Sequence, residues 1–251
     1  MAEVLELLSQ PPNEEPVSLS MATASQSDFG SKADPRLPAS LFDRCWRQYA
    51  LCREHLFTDH THHIASALKP MLTGLHPRYL VEAGCGPGFY SRRLAAKFPQ
   101  LQITGIDLCE PLLYRARDRA HRSGLHNCRF LKANALSLAN FPNQIDAVIA
   151  SRLFLILSDP ELALDAIFTT LRPGGICFIA EPTSTLSAAL PLLLMKMTGY
   201  LGPKPEVAEH HPISRVFSMN DFERLVETQP WKTIRIWKDR KYHCAVCEKA
   251  A

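Results

Sequence analysis

Charge of one sign is the first thing this 251-residue chain lacks: 28 basic residues stand against 25 acidic ones, for a formal net charge of +3. So small an imbalance gives no field strong enough to gather nucleic acid or an anionic membrane surface. Long apolar runs are missing too. A bilayer-spanning helix needs ~20 apolar residues, and the longest late run, Ala188 to Met195, is broken by Pro191. The opening residues, MAEVLELLSQPPNEEP, lack the basic and apolar regions of a secretory signal. The expectation is a cytoplasmic protein with no integral membrane segment and no nucleic-acid partner, acting on a small molecule. In that setting the eight cysteines are reduced thiols rather than a disulfide framework.

Glycine is scarce, 11 residues in all, yet three of them crowd into LVEAGCGPGF, Leu80 to Phe89. Glycine is the least favourable residue to order, so such a cluster marks backbone conformations or ligand approaches that a Cβ would block. Two nucleotide readings fail on what is absent. The dinucleotide fingerprint places its third glycine where Phe89 stands, and no Lys-Ser or Lys-Thr pair closes the loop as a phosphate-binding loop requires.

The rest of the chain sets this loop in context. Residues 1–40, rich in Ser, Pro, Glu and Gln, read as a disordered leader. Residues 41–70 carry helix formers that stop at Pro70 and read as one or two helices. From Tyr79 the pattern alternates strand and helix: RYLVEAG, GFYSRRLAAKF, LQITGID, EPLLYRARDRAHRSG, CRFLKAN, IDAVIAS, a helix PELALDAIFTTLRPGG closed by Pro173 and two glycines, and ICFIAEP. Such alternation builds a parallel sheet with helices on both faces. After an apolar, poorly periodic insertion at 183–216, Ser218 caps a helix, and KTIRIW and KYHCAVCE form an antiparallel hairpin.

In such a sheet ligands lie beyond the carboxyl ends of the strands, where the glycine loop sits. Asp107, 19 positions after Gly88 at the end of the second strand, can accept from both ribose hydroxyls of a nucleoside. At the exposed edge of the sheet its side chain should contribute little to stability in the absence of ligand.

Glu82-Ala83-Gly84-Cys85-Gly86-Pro87-Gly88 matches [DE]-x-G-x-G-x-G, and Asp107, Asn134-Ala135, IDAVIAS and LRPGGICFIAEP follow in order. In this the chain resembles the class I, Rossmann-like methyltransferases that use S-adenosylmethionine. The resemblance covers residues 79–182 and continues through the last helix and hairpin. It implies an α/β doubly wound sheet, mostly parallel, with an antiparallel C-terminal hairpin strand and an N-terminal helical lid. The domain would run over 41–251: lid 41–70, cofactor core 79–182, acceptor-pocket insertion 183–216, final helix and hairpin 217–251. Phe42-Asp43 with Tyr49 is similar to the element that opens the ubiquinone and menaquinone type of methyltransferase, where that helix lids the cofactor.

The cofactor residues implied are Glu82, Ala83, Gly84, Cys85, Gly86, Gly88, Asp107, Leu108, Asn134, Ala135 and Ser151. The cofactor's tail would lie along the glycine loop, its carboxylate near helix-start N–H groups and its ammonium near Glu82. Asn134 replaces the family's usual Asp and accepts without charge. Candidate catalytic residues are Tyr49, His210 and His211, and Arg152 and Arg215 are candidate acceptor contacts. Glu181 is either an acid of the catalytic face or a satisfied structural one.

Other chemistries lack their signatures. Ser151-Arg152-Leu153-Phe154 stands where amino-group methyltransferases of DNA and glutamine carry [DN]-P-P-[YF], there is no Pro-Cys nucleophile pair, and no acid closes the fourth strand to hold magnesium. No residue is assigned to a metal. His60 and His63 share a helix face without a local third ligand, and Cys244 and Cys247, three apart on a strand, face opposite sides and pack. The reading is metal-free methyl transfer to a small molecule. Two alternatives stand beside it: a non-catalytic cofactor-binding or assembly protein, and a thiol- or metalloid-directed methyltransferase suggested by Cys45 and Cys52.

Overall fold

A computed structural model describes residues 45–73, 78–140, 145–184 and 216–251. Seven strands form one sheet: β1 (Arg78–Ala83), β2 (Leu101–Asp107), β3 (Cys128–Lys132), β4 (Ile145–Ser151), β5 (Leu171–Pro182), β6 (Trp231–Asp239) and β7 (Tyr242–Lys249), in the order β3-β2-β1-β4-β5-β7-β6. β1 to β5 pair in parallel, while β7 runs antiparallel to both β5 and β6. This is the expected doubly wound sheet with its terminal hairpin. Strand order reverses between β1 and β4, which opens a crevice at the carboxyl ends of those strands.

Two apolar layers hold the helices to the sheet. Alternate strand residues supply them: Leu80 and Ile103 enter one core, Val81 and Val148 the other. On the first face pack α2 (Thr61–Leu68), α3 (Phe89–Lys97) and α4 (Glu110–Arg122), through Ile64, Leu94 and Leu113 among others. The second face takes α5 (Pro160–Thr170) and α6 (Met219–Val226), through Leu164, Ile167 and Phe222. Each such fully buried side chain stabilises by roughly 1.5–3 kcal/mol. Cys244 and Cys247 obey the strand rule, one buried in each core. Ser218 caps α6 as expected, its Oγ accepting from the Asp221 N–H at 3.1 Å.

Two boundaries differ from the sequence expectation. The helix expected to run to the Pro173-Gly174-Gly175 turn ends at Thr170, and β5 begins at Leu171. Those turn formers instead occupy an irregularity in the β4–β5 ladder, between the pairs Ile145–Leu171 and Ala147–Ile176. The hairpin turn falls at Arg240 and Lys241, with Arg240 in the left-handed region at φ 54°.

The segment expected as a lid holds two helices, α1 (Trp46–His55) and α2. Glu54 on α1 pairs with Arg92 on α3 and Arg119 on α4, which ties the lid across the helical face. The leader at 1–40, His210, His211 and Arg215 lie outside the described residues, as does most of the insertion.

Candidate functional site

The loop between β1 and α3 turns on three left-handed glycines, Gly84 (φ 68°), Gly86 (φ 51°) and Gly88 (φ 68°). All three also leave little room for a side chain, a Cβ on Gly84 standing 3.0 Å from Leu153. A Cβ on Gly88 would stand 2.5 Å from the Phe130 ring, and one on Gly86 would stand 3.2 Å from the Tyr49 ring. The contact at Gly88 closes α3 against the sheet, and the one at Gly86 sets the loop against Tyr49 of α1.

Asp107 anchors the loop. Its Oδ2 accepts from the Gly86 N–H at 2.7 Å and its Oδ1 from the Cys109 N–H at 2.9 Å. The carboxylate is therefore half-buried and already holds two backbone amides, contrary to the expectation that it contributes little without ligand.

A cavity of about 290 Å³ opens beside it. Tyr49, Gly84, Asp107, Leu108, Asn134, Ala135 and Arg152 line its walls, which brings together seven of the residues singled out from the sequence. Ala83, Cys85, Gly86, Gly88 and Ser151 are not among its lining residues. Leu112 on α4 and Leu153, Ile156 and Leu157 after β4 also line it. Nothing in the sequence marks Leu153, Ile156 and Leu157, which lie in and beside a short 3₁₀ turn, Phe154–Ile156. Asn134 lends its Oδ1 to the Leu136 N–H at 3.0 Å, so it caps its own turn while facing the cavity.

Glu82 takes a different part. Its Oε2 accepts from the N–H of Ser91 at 2.8 Å and from the hydroxyl at 2.5 Å, and the residue is buried. Burial pushes its carboxyl up, against the pull of Ser91 and Arg53. Glu82 thus receives the first turn of α3 from beneath the loop.

Tyr49 reaches the cavity from the lid. Burial pushes its phenol up to about 12, against the influence of Arg152 and Arg53, so at neutral pH it offers an O–H donor and not a base. Arg152 is the strained residue of the site, buried and left-handed at φ 58°. Its guanidinium lies 4.1 Å from the Phe57 ring centroid and donates to the Tyr242 hydroxyl at 3.3 Å.

Glu181, on β5, is wholly buried; its Oε1 accepts from the Phe154 N–H at 2.9 Å, while Oε2 has no partner among the described residues. Burial raises its carboxyl to about 8, against the backbone N–H of Phe154 and the charge of Arg152. His60 is buried beside the same end of the sheet, its Nδ1 3.0 Å from the Tyr90 hydroxyl and its Nε2 3.6 Å from Asp239. Burial lowers it to about 4. Cys45 and Cys52 are buried, and burial raises the Cys52 thiol, which fits packing better than thiol chemistry.

The fit to an adenosine-linked cofactor rests on two features: a cavity of about 290 Å³ bordered by the left-handed Gly84 of the glycine loop, and the carboxylate-bearing Asp107 on its wall.

Comparison with known proteins agrees. Residues 80–175 match the family described as a methyltransferase domain. The chain is similar to a trans-aconitate 2-methyltransferase of Paracidovorax citrulli, 31% identical over 105 residues, covering 41% of this chain and 38% of that protein. It is also similar to a demethylmenaquinone methyltransferase of Thermus thermophilus, 32% identical over 105 residues, covering 42% and 47% respectively. The chain thus spans less than half the length of either relative. Among solved structures, a SAM-dependent methyltransferase from Methanosarcina mazei shares the fold, with a TM-score of 0.53 and 20% identity over 72% of this chain and 97% of that one. No helix among the described residues is long and apolar enough to cross a membrane.

Proposed function

We propose that this chain, whose residues 80–175 match a methyltransferase domain, is a class I S-adenosylmethionine-dependent methyltransferase that passes a methyl group from that cofactor to a small-molecule acceptor by metal-free, in-line displacement. The observation that carries this reading is the convergence of Gly84, Asp107 and Asn134 with Tyr49 and Arg152 on one cavity. When bound, S-adenosylmethionine supplies the sulfonium-activated methyl group. Asp107 would accept the ribose hydroxyls, and Asn134 and Ala135 would border the adenine. Tyr49 would close the lid side with its hydroxyl as donor. Arg152 would hold a polar or anionic group of the acceptor; the name of the trans-aconitate relative supports a carboxylate there. Alignment of two held reactants can contribute ~7–11 kcal/mol in favourable cases, so no base is required of these residues.

The test is to incubate the full chain with methyl-labelled S-adenosylmethionine and a cell extract, then fractionate. Label is expected in a small anionic metabolite, and Arg152→Met should raise KM for that acceptor about tenfold or more while sparing cofactor affinity. Label confined to protein or nucleic acid sinks the acceptor assignment. Cofactor binding without any labelled fraction leaves the non-catalytic reading in its place.

A further inference from the structure

One wall of the cavity is made where the chain leaves β4, and it changes direction there at a single residue. Ser151 closes the β4–β5 ladder opposite Ala180, and the Arg152 N–H donates to the Ala180 carbonyl at 2.8 Å. Arg152 then turns left-handed, at φ 58°, and the 3₁₀ turn Phe154–Ile156 begins two residues later. Arg152, Leu153 and Ile156 all line the cavity. A left-handed residue that carries a side chain persists only where its surroundings over-determine it.

The first N–H groups of a helical turn need acceptors, and Leu153, which precedes this turn, has no side-chain oxygen to give. Glu181 supplies one from another strand. It follows Ala180 on β5, is wholly buried, and its Oε1 accepts from the Phe154 N–H at 2.9 Å. Consecutive residues of β5 thus hold the chain on both sides of the bend, Ala180 at Arg152 itself and Glu181 two residues later. Tyr242 of β7, in register with Pro182, accepts from the Arg152 guanidinium at 3.3 Å, and the Phe57 ring packs against it. Burial raises the Glu181 carboxyl to about 8, so at neutral pH it holds the turn as an uncharged acid and adds no full counter-charge to Arg152.

We propose that Glu181 is a positioning residue: by capping the Phe154–Ile156 turn from β5 it fixes Arg152 in the conformation that presents its guanidinium to the acceptor. The inference rests on the acceptor role given to Arg152 above. It makes the choice of acceptor depend on a side chain that does not itself line the cavity.

Labelled methyl transfer to the small-molecule fraction of a cell extract, followed against the amount of extract added, gives a half-saturating amount that stands for KM. Glu181→Leu removes the acceptor oxygen and should raise that amount about tenfold, while calorimetric affinity for S-adenosylhomocysteine stays within about twofold. In an Arg152→Met background the same change should add less than about twofold, because both substitutions remove one contact. Glu181→Gln keeps the oxygen in reach and should restore wild-type saturation. Glu181→Asp keeps the acid, stops one methylene short, and should not. This pair decides the matter if Glu181→Leu does not fold, since wild-type saturation in Glu181→Asp overturns the assignment. A full tenfold effect in the Arg152→Met background, or a matching loss of S-adenosylhomocysteine affinity, overturns it as well and makes Glu181 a packing residue. So does a fall in kcat at unchanged KM in Glu181→Gln, which would point to acid chemistry. Where wild type transfers label and Arg152→Met raises KM, such failures fall on Glu181 alone. Absence of any transfer by wild type overturns the acceptor reading and this assignment with it.

Discussion

Asp146 and Glu181 lie on adjacent strands, both buried, at opposite ends of the sheet, and they are treated in opposite ways. Asp146, at the amino end of β4, accepts from Arg78 at 3.0 Å, from Arg172 at 2.5 Å and from the Tyr79 N–H at 2.8 Å. Glu181, at the carboxyl end of β5, accepts from the Phe154 amide, and its Oε2 has no partner among the described residues. Near that end Arg53 Nη2 has no hydrogen-bond partner among the described residues, and His60 Nε2 has only Asp239 at 3.6 Å. The amino end of the sheet is a structural floor in which charge is matched by charge. The carboxyl end holds polar groups whose partners are incomplete, together with a left-handed Arg152. Among the described residues, the contrast between the two ends falls on the same end of the sheet as the cavity.

The largest effect should come from breaking the saturated end. Asp146→Ala leaves two guanidinium groups and one amide without their acceptor and should cost about 3 kcal/mol in chemical denaturation. Cofactor affinity of the folded fraction should be unchanged, and a loss of affinity would mean that the two ends are not separate.

Glu181 should show a pH dependence of its own. Its carboxyl is raised to about 8 in the folded protein, so between the usual carboxylate range and pH 8 the unfolded chain releases a proton that the folded one keeps. Stability is therefore lost as pH rises through that window and levels off above it. Glu181→Gln, which resembles the protonated acid and keeps an acceptor for Phe154, should flatten that decline, a difference of up to a few kcal/mol at pH 8. Parallel denaturation curves for the two proteins from pH 5 to pH 8 would refute the assignment of Glu181 as a neutral buried acid.

His60 should act in the opposite direction and somewhat less. Its folded-state value is lowered to about 4 from 6.5, so the unfolded chain takes up a proton first and stability is lost as pH falls from about 6.5 to about 4. The loss should reach at most about 3 kcal/mol, and His60→Asn should remove most of that slope in thermal melts. An unchanged slope would assign the acid sensitivity to other groups.

Much of this was legible in the sequence because it depends on local rules. Three glycines within five positions demanded left-handed turns and received them, apolar alternation placed β1 to β4, and Asp107 stands at the end of β2 facing the cavity. Failures came where distant contacts decide. Pro173, Gly174 and Gly175 read as a helix stop, but register with β4 draws Leu171 into β5. Glu82 and Asp107 read as free acceptors, but each had a backbone partner that only the fold brings near, Ser91 in one case and Gly86 and Cys109 in the other. Arg53 carried no signal at all, because an unmade hydrogen bond is a property of packing.

The central claim is that the cavity beside Asp107 holds an S-adenosyl cofactor, and calorimetric titration of wild type and Asp107→Ala with S-adenosylhomocysteine tests it most directly. The variant should be less stable by about 1–3 kcal/mol, since the Gly86 and Cys109 amides lose their acceptor. It should remain folded and bind at least about 10²-fold more weakly than wild type. Wild-type affinity in Asp107→Ala, or no binding by the wild type, would contradict the account.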